Sequence, residues 1–235
     1  MPAKRPLRIF NRLIDGLSRQ ACDSLLEHGE PVDLAFGEIL CEPQQTIRFV
    51  YFPLSAFISL VDTAGNHTPL EIGLIGNEGM LGATLILGTD DAQLRAIVQG
   101  KGRALRLTVP QLRRQLHASP SLLRTLQRYL YVSTIQLARS VACIHFHEVE
   151  PRLARWLLMT HDRAHSDHLH LTHEYLAGML GVRRSGVTVA AGSLQRRSLI
   201  RYARGNISIV DRKGLEAASC ECYEAALETY RQLLP

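Results

Sequence analysis

The chain has 235 residues, 46% hydrophobic and 21% charged, an ordinary globular balance with enough length for one large domain or two smaller ones. No run reaches the roughly 18 consecutive apolar residues of a membrane helix, and Met1 to Arg12 carries scattered charge without an apolar signal core. The five cysteines (Cys22, Cys41, Cys143, Cys220, Cys222) are odd in number and lack CxxC spacing, which argues against a disulfide framework; free thiols and a cytoplasmic location are expected.

A helix is expected around Phe10 to Leu26. Between Gly29 and Gly102 glycines recur every few residues and separate short apolar runs, which is β punctuation. Strands are expected at Glu38–Cys41, Thr46–Phe52, Phe57–Asp62, Leu70–Ile75, Leu94–Gln99 and Arg103–Leu107, together a jelly-roll-like β-roll. After Thr108 the texture changes. Ser119 and Pro120 read as an N-cap and first helical residue, and no glycine or proline follows until past Phe146. Within this long helix, Leu123, Leu126, Leu130, Leu137 and Ile144, with Ser133 and Ser140 between them, keep the 3-4 spacing of a coiled-coil seam, so the helix is expected to dimerise. Pro151 then opens a helix over Arg152–Thr160 that belongs to a second small core. The expected division is 1–118 for a sensor roll, 119–146 for the dimer helix and 147–235 for a C-terminal domain, an α+β chain overall.

The densest signal lies in that last part. Thr172 can cap a helix that buries Leu176, Ala177 and Leu180, and Gly181 supplies the turn. A second helix, roughly Arg183–Arg197, buries Val187, Ala190 or Ala191, and Leu194, leaving Arg183, Arg184, Ser185, Thr188, Gln195 and Arg196 on its other face. Arginine forks match guanine edges in a major groove, and Ser or Thr hydroxyls reach phosphates or bases. Leu199–Tyr202 and Asn206–Val210 flank Gly205-Asn206 as a hairpin wing, with Arg201 and Arg204 beside phosphates. From Thr172 to Lys213 there are eight basic residues and two acids, +6, so the net charge of +5 leaves −1 for the remainder. These features point to double-stranded DNA. No convergent nucleophile and base, and no complete metal-ligand set, points to an enzyme.

The long helix, Thr-x-Glu-x-Leu-Ala-x-x-Leu-Gly-Val (172–182), the arginine-rich second helix, Leu-Ile-x-Tyr (199–202) and Arg-Gly-x-Ile-x-Ile (204–209) resemble the Crp/Fnr family of bacterial regulators. The resemblance implies a homodimer with a cyclic-nucleotide-binding-like sensor roll and a winged helix-turn-helix, controlling transcription at palindromic sites with RNA polymerase as a partner. It also implies where an effector would sit. Family members that bind cyclic nucleotides carry Gly-Glu followed closely by Arg-Ser/Thr-Ala; here the nearest match is Glu78 and Gly79, then Arg95 followed directly by Ala96, 17 positions past Glu78. The cassette is degenerate, so cyclic-nucleotide binding is not expected and the small-molecule effector is unidentified. No cofactor is expected: an iron-sulfur cluster would need more cysteines than Cys22 and Cys41 in the roll.

Two alternatives remain open. One is a metal- or redox-responsive regulator, using the histidines His161, His165, His168, His170 and His173 or the pair Cys220 and Cys222; the other is an interaction module that binds no DNA. His161 and His165, four apart, could share a metal on one helix face, but nothing nearby completes the set, and exposed histidines and free thiols are the simpler reading. The basic second helix argues against the pure interaction module.

Overall fold

The computed structural model describes residues 11–63, 65, 69–164 and 166–234. The leading helix is broken: α1 (Arg12–Asp15) stops at Gly16, and α2 (Arg19–His28) restarts from Ser18, whose hydroxyl accepts the Ala21 N–H. Phe10, expected at its head, lies outside the described residues.

Seven strands follow: β1 (Glu30–Leu34), β2 (Ile39–Cys41), β3 (Phe49–Pro53), β4 (Phe57–Asp62), β5 (Leu70–Ile75), β6 (Arg95–Gly100) and β7 (Gly102–Thr108). They pair antiparallel in two sheets, β1-β7-β3 and β2-β6-β4-β5. Period-two alternation sorts their side chains. Leu34, Tyr51 and Ala104 meet Ile58, Ile75, Ala96 and Val98 between the sheets, while Val50, Phe52, Leu105 and Leu107 point the other way, under a helical cover. β1 was not foreseen, because Glu30, Pro31 and Asp33 hide its pattern; it is an edge strand bonded only to β7, where proline is tolerated.

The cover is built by α1, α2, α3 (Val109–Ala118) and the first half of α4 (Pro120–Phe146), which bury Leu13, Leu25, Leu112, Leu122 and Leu126. Each such leucine stabilises the fold by about 1.5–3 kcal/mol. α3, not distinguished in the sequence, starts from a capping box of Thr108 and Gln111 with Pro110 in its first turn. Ser119 caps α4 as expected, its hydroxyl accepting the Leu122 N–H.

The C-terminal part contains α5 (Val149–Ala164), β8 (His168–His170), α6 (His173–Leu180), α7 (Arg184–Arg196), β9 (Ile200–Ala203), β10 (Asn206–Ile209), α8 (Arg212–Ala218) and α9 (Cys222–Leu233). Its own core gathers Leu153, Trp156, Leu157, Leu176, Val187, Leu194, Ile207 and Leu215. Polar contacts that join the roll to it include the Trp156 indole donating to Glu71 of β5 at 2.7 Å and Arg163 pairing with Glu78 at 2.6 Å. α9 returns along α4, with Arg139 donating to the Ala225 carbonyl and Gln136 to that of Ala226, and it sets Tyr230 against the roll core. No described helix is long and apolar enough to cross a membrane.

Candidate nucleic-acid interface

α6 begins where the Thr172 hydroxyl accepts the Tyr175 N–H at 3.1 Å. It ends at Gly181, which has φ +62, a left-handed value that glycine adopts without penalty. Val182 N–H then bonds the Ala177 carbonyl at 3.0 Å, fixing the angle at which the chain enters α7. α7 buries Val187, Ala190, Ala191 and Leu194 against the C-terminal core and presents Arg184, Ser185, Thr188 and Arg196 outward, with Arg183 at the N-cap position. The alanines keep the two helices close enough to pack at a steep crossing.

The wing is β9 and β10, joined to β8 in a three-stranded sheet. Ala203 pairs with Asn206, so the central turn residues are Arg204 (φ +49) and Gly205 (φ +80) rather than Gly205 and Asn206. Positive φ at both positions marks a tight hairpin turn of the I′ kind, and it puts the Arg204 side chain at the tip.

Among the described residues, the guanidinium groups of Arg183, Arg184, Arg196, Arg201 and Arg204 have neither a carboxylate nor a hydrogen-bond partner, and all five residues are exposed. Two other basic residues of the same segment are committed, Arg197 to Glu150 and Arg212 to Asp162 and Glu216. Two expected contact residues also turn out to be supports. Gln195 accepts the Tyr202 N–H at 2.7 Å and ties the wing to α7. The Thr188 hydroxyl donates to the Arg184 carbonyl and accepts from Nδ1 of His173, whose ring stacks on Tyr202 at 4.2 Å. Burial, and then the Arg184 charge, hold the His173 pKa below its ordinary value, so this strut is a neutral imidazole. One surface residue was overlooked: Val189, 70% exposed, lies one turn after Ser185 and two turns before Arg196 on the outer face, where an apolar group can meet a thymine methyl. Its i+4 spacing from Ser185 was the available signal.

Residues 151–218 match the family model of the Crp-like helix-turn-helix domain. The chain carries a Crp-like helix-turn-helix domain. No curated protein matches the sequence. Solved structures that resemble the whole chain include a Crp/Fnr-family regulator of Eubacterium rectale (15% identity, 89% of this chain and 98% of that one, TM-score 0.69). The c-di-GMP-responsive global regulator CLP of Xanthomonas campestris aligns at 15% identity over 82% and 99% of the two chains, TM-score 0.67. A Crp/Fnr-family regulator of Thermus thermophilus aligns at 24% over 83% and 98%, TM-score 0.67. The β-roll, long helix and C-terminal helix-turn-helix thus share the fold of these Crp/Fnr-family structures.

Around this Crp-like domain, other expected sites are rearranged. Glu78, Gly79 and Arg95 do not converge. Glu78 is buried against Arg163 of α5, Gly79 lies under the Tyr129 hydroxyl with no room for a Cβ, and Arg95 of β6 pairs at 2.8 Å with Glu42, just past the end of β2. A cavity of about 1110 Å³ does lie between the roll and α4, lined mainly by apolar side chains such as Leu60, Leu74, Leu81 and Leu137, and none of these three residues borders it. On α4, Leu126 is 0% exposed in the core of its own roll, so it cannot meet a partner, and Leu123 and Leu130 are half-buried. Ser133 and Ser140 face the cavity. The exposed face is Thr134, Leu137, Val141 and Ile144, with Tyr131 and Phe146 beside it. Of the histidines, His161 is held between Asp167 and Arg212, His168 bonds Ser208, His170 bonds Asn206, and His165 lies outside the described residues.

Proposed function

We propose that the chain is a sequence-specific transcription regulator of the cytoplasm that binds palindromic DNA as a homodimer, under control of a signal received by the β-roll. The supporting observation is the set of five unpartnered arginines: Arg183 and Arg184 at the N-terminal end of α7, Arg196 in its last turn, and Arg201 and Arg204 on the wing. Such groups gain most from phosphates and guanine edges, because they lose no existing salt bridge on docking. α7 fits the major groove with Arg184 and Ser185 leading, and the wing follows the backbone. The working units are the roll (1–118), the dimer helix (119–146) and the DNA-binding part (147–235), with RNA polymerase as the partner that reads out binding. The effector belongs to the mainly apolar cavity beside α4, where an occupant would touch both the roll and the dimer helix; the expected cassette residues Glu78, Gly79 and Arg95 do not border it, which argues against a cyclic nucleotide held by that cassette.

The test is fluorescence anisotropy on duplex DNA at several salt concentrations. Counterion release from six to ten phosphate contacts lowers affinity by on the order of a thousandfold or more between about 50 and 200 mM salt. Salt-independent binding, or none at low salt, would exclude this reading.

A further inference from the structure

Away from the DNA face, two distant segments bring four soft donors together. Cys143 lies in the last turn of α4 and His147 caps that helix, four residues on, so both project from one side. Cys220 and Cys222 flank the turn that starts α9. Their three Sγ atoms and one ring nitrogen of His147 all lie within 4.8 Å of one another; Cys143 Sγ is 3.6 Å from Cys220 Sγ, and Cys222 Sγ is 3.8 Å from His147 Nδ1. Tetrahedral zinc with bonds of ~2.3 Å to sulfur separates its ligand atoms by about 3.8 Å, so little rearrangement is needed to close the shell. Spacing along the chain concealed this set, because 77 residues separate Cys143 from Cys220.

The surroundings are those of a ligand cage rather than of packed thiols. His147 turns Nδ1 inward and donates from Nε2 to Glu221 at 3.1 Å, the carboxylate support that fixes tautomer and ring orientation in metal-bound histidines. Arg155 and Arg152 of α5 bring positive charge near Cys143, which offsets the net −1 of three thiolates around a divalent cation. Thiols serving only as small apolar groups would not need a histidine held in this orientation. A Cys143–Cys220 disulfide would leave Cys222 and His147 without purpose.

We infer that Cys143, His147, Cys220 and Cys222 form a four-ligand site for one thiophilic divalent cation of the zinc class. Four protein ligands close the shell, so the site is a clamp and not a catalytic centre. Three sulfurs and one imidazole favour zinc over magnesium or calcium. The clamp joins the end of α4, where the long helix gives way to the DNA-binding part, to the turn before α9, and so couples cation occupancy to the stiffness of that junction. The inference needs no DNA and stands apart from the proposed function.

The test uses the full-length, untagged, reduced chain titrated with Co²⁺ as a spectroscopic stand-in for zinc, followed by zinc competition. Expected is saturation at one equivalent, with the intense d–d bands of a tetrahedral site and a thiolate-to-cobalt charge-transfer band, both abolished by zinc. The double variant Cys22→Ser, Cys41→Ser should behave like wild type. Cys222→Ser, at a half-buried position whose replacement spares the core, should lose the charge-transfer band's saturation at least tenfold in affinity while keeping wild-type circular dichroism. His147→Ala should do the same. No charge-transfer band in reduced wild type, or identical titrations for wild type and Cys222→Ser, would overturn the site. A chain that binds cobalt but no DNA would overturn only the regulator reading.

Discussion

Glu71 is one of the side chains that join the roll to the C-terminal part. It accepts from the Ser59 hydroxyl on one side and from the Trp156 indole, across the joint, on the other. Burial pushes its pKa up to about 7, against the opposing pull of both hydrogen bonds and of Arg163 and Arg155. A folded value above the ordinary 4.5 means that the docked form holds the proton more tightly than the unfolded chain does. The associated stability is complete below about pH 4.5 and is lost as pH rises to about 7. Full linkage would give ~3 kcal/mol, and since Glu71 is only partly buried about 1 kcal/mol is expected. Urea unfolding at pH 5 and pH 8 checks this: Glu71→Gln should flatten the wild-type decline with pH, and parallel profiles for the two proteins would contradict it. Residues of this kind are the least legible in a sequence. Glu78 stood out as part of a ligand cassette, yet its partner Arg163 lies 85 positions away on another element, and only folding shows that the pair is a joint between two parts. The exposed placement of Arg184 and Ser185 in the first turn of α7 was legible because it follows from helix periodicity alone.

Among the elements, α4 shows what periodicity does and does not reveal. Its span was readable to the residue, because Ser119 and Pro120 define a start and unbroken helix formers carry it to Phe146. Its register was not. A 27-residue helix with apolar residues on two sides offers more than one 3-4 seam, and the one through Leu126 and Ser133 faces the chain's own roll. The seam left in the open, Thr134, Leu137, Val141 and Ile144, continues the 4-3-4-3 spacing from half-buried Leu130, one step round the helix, and Val141 is 65% exposed. An apolar stripe on an exposed rod calls for a second copy in water. Sedimentation should therefore find a dimer at micromolar concentration. Leu137→Asp with Val141→Asp should give a folded monomer, whereas Leu126→Asp should unfold the roll. A double variant that stays dimeric would exclude this face. The missed elements share a cause: β1 is disguised by its proline and acids, and β8 is a three-residue strand of two histidines and a leucine that only its pairing with β10 defines.

Over the whole molecule, the excess charge falls on the surface proposed to meet DNA. The segment 172–213 holds +6 and the remainder −1, and its unpartnered arginines lie at both ends of α7 and along the wing. A two-fold axis through α4 would present two such surfaces to one face of a duplex. The half-sites then form an inverted repeat with centres about 34 Å apart, one helical turn. Within each surface the contacts divide by kind. On the proposed reading Arg184, in the first turn of α7, would reach base edges, and Arg204, at the hairpin tip, would reach the backbone. Selection of binding sites from random duplexes by wild type, Arg184→Ala and Arg204→Ala tests this most directly. Wild type should enrich an inverted repeat; Arg184→Ala should cost about 1–3 kcal/mol on that site and lose preference at one position per half-site, and Arg204→Ala should keep the preferred bases while weakening every sequence alike. Absence of any enriched sequence with wild type, or altered base preference with Arg204→Ala while Arg184→Ala retains it, would contradict the account.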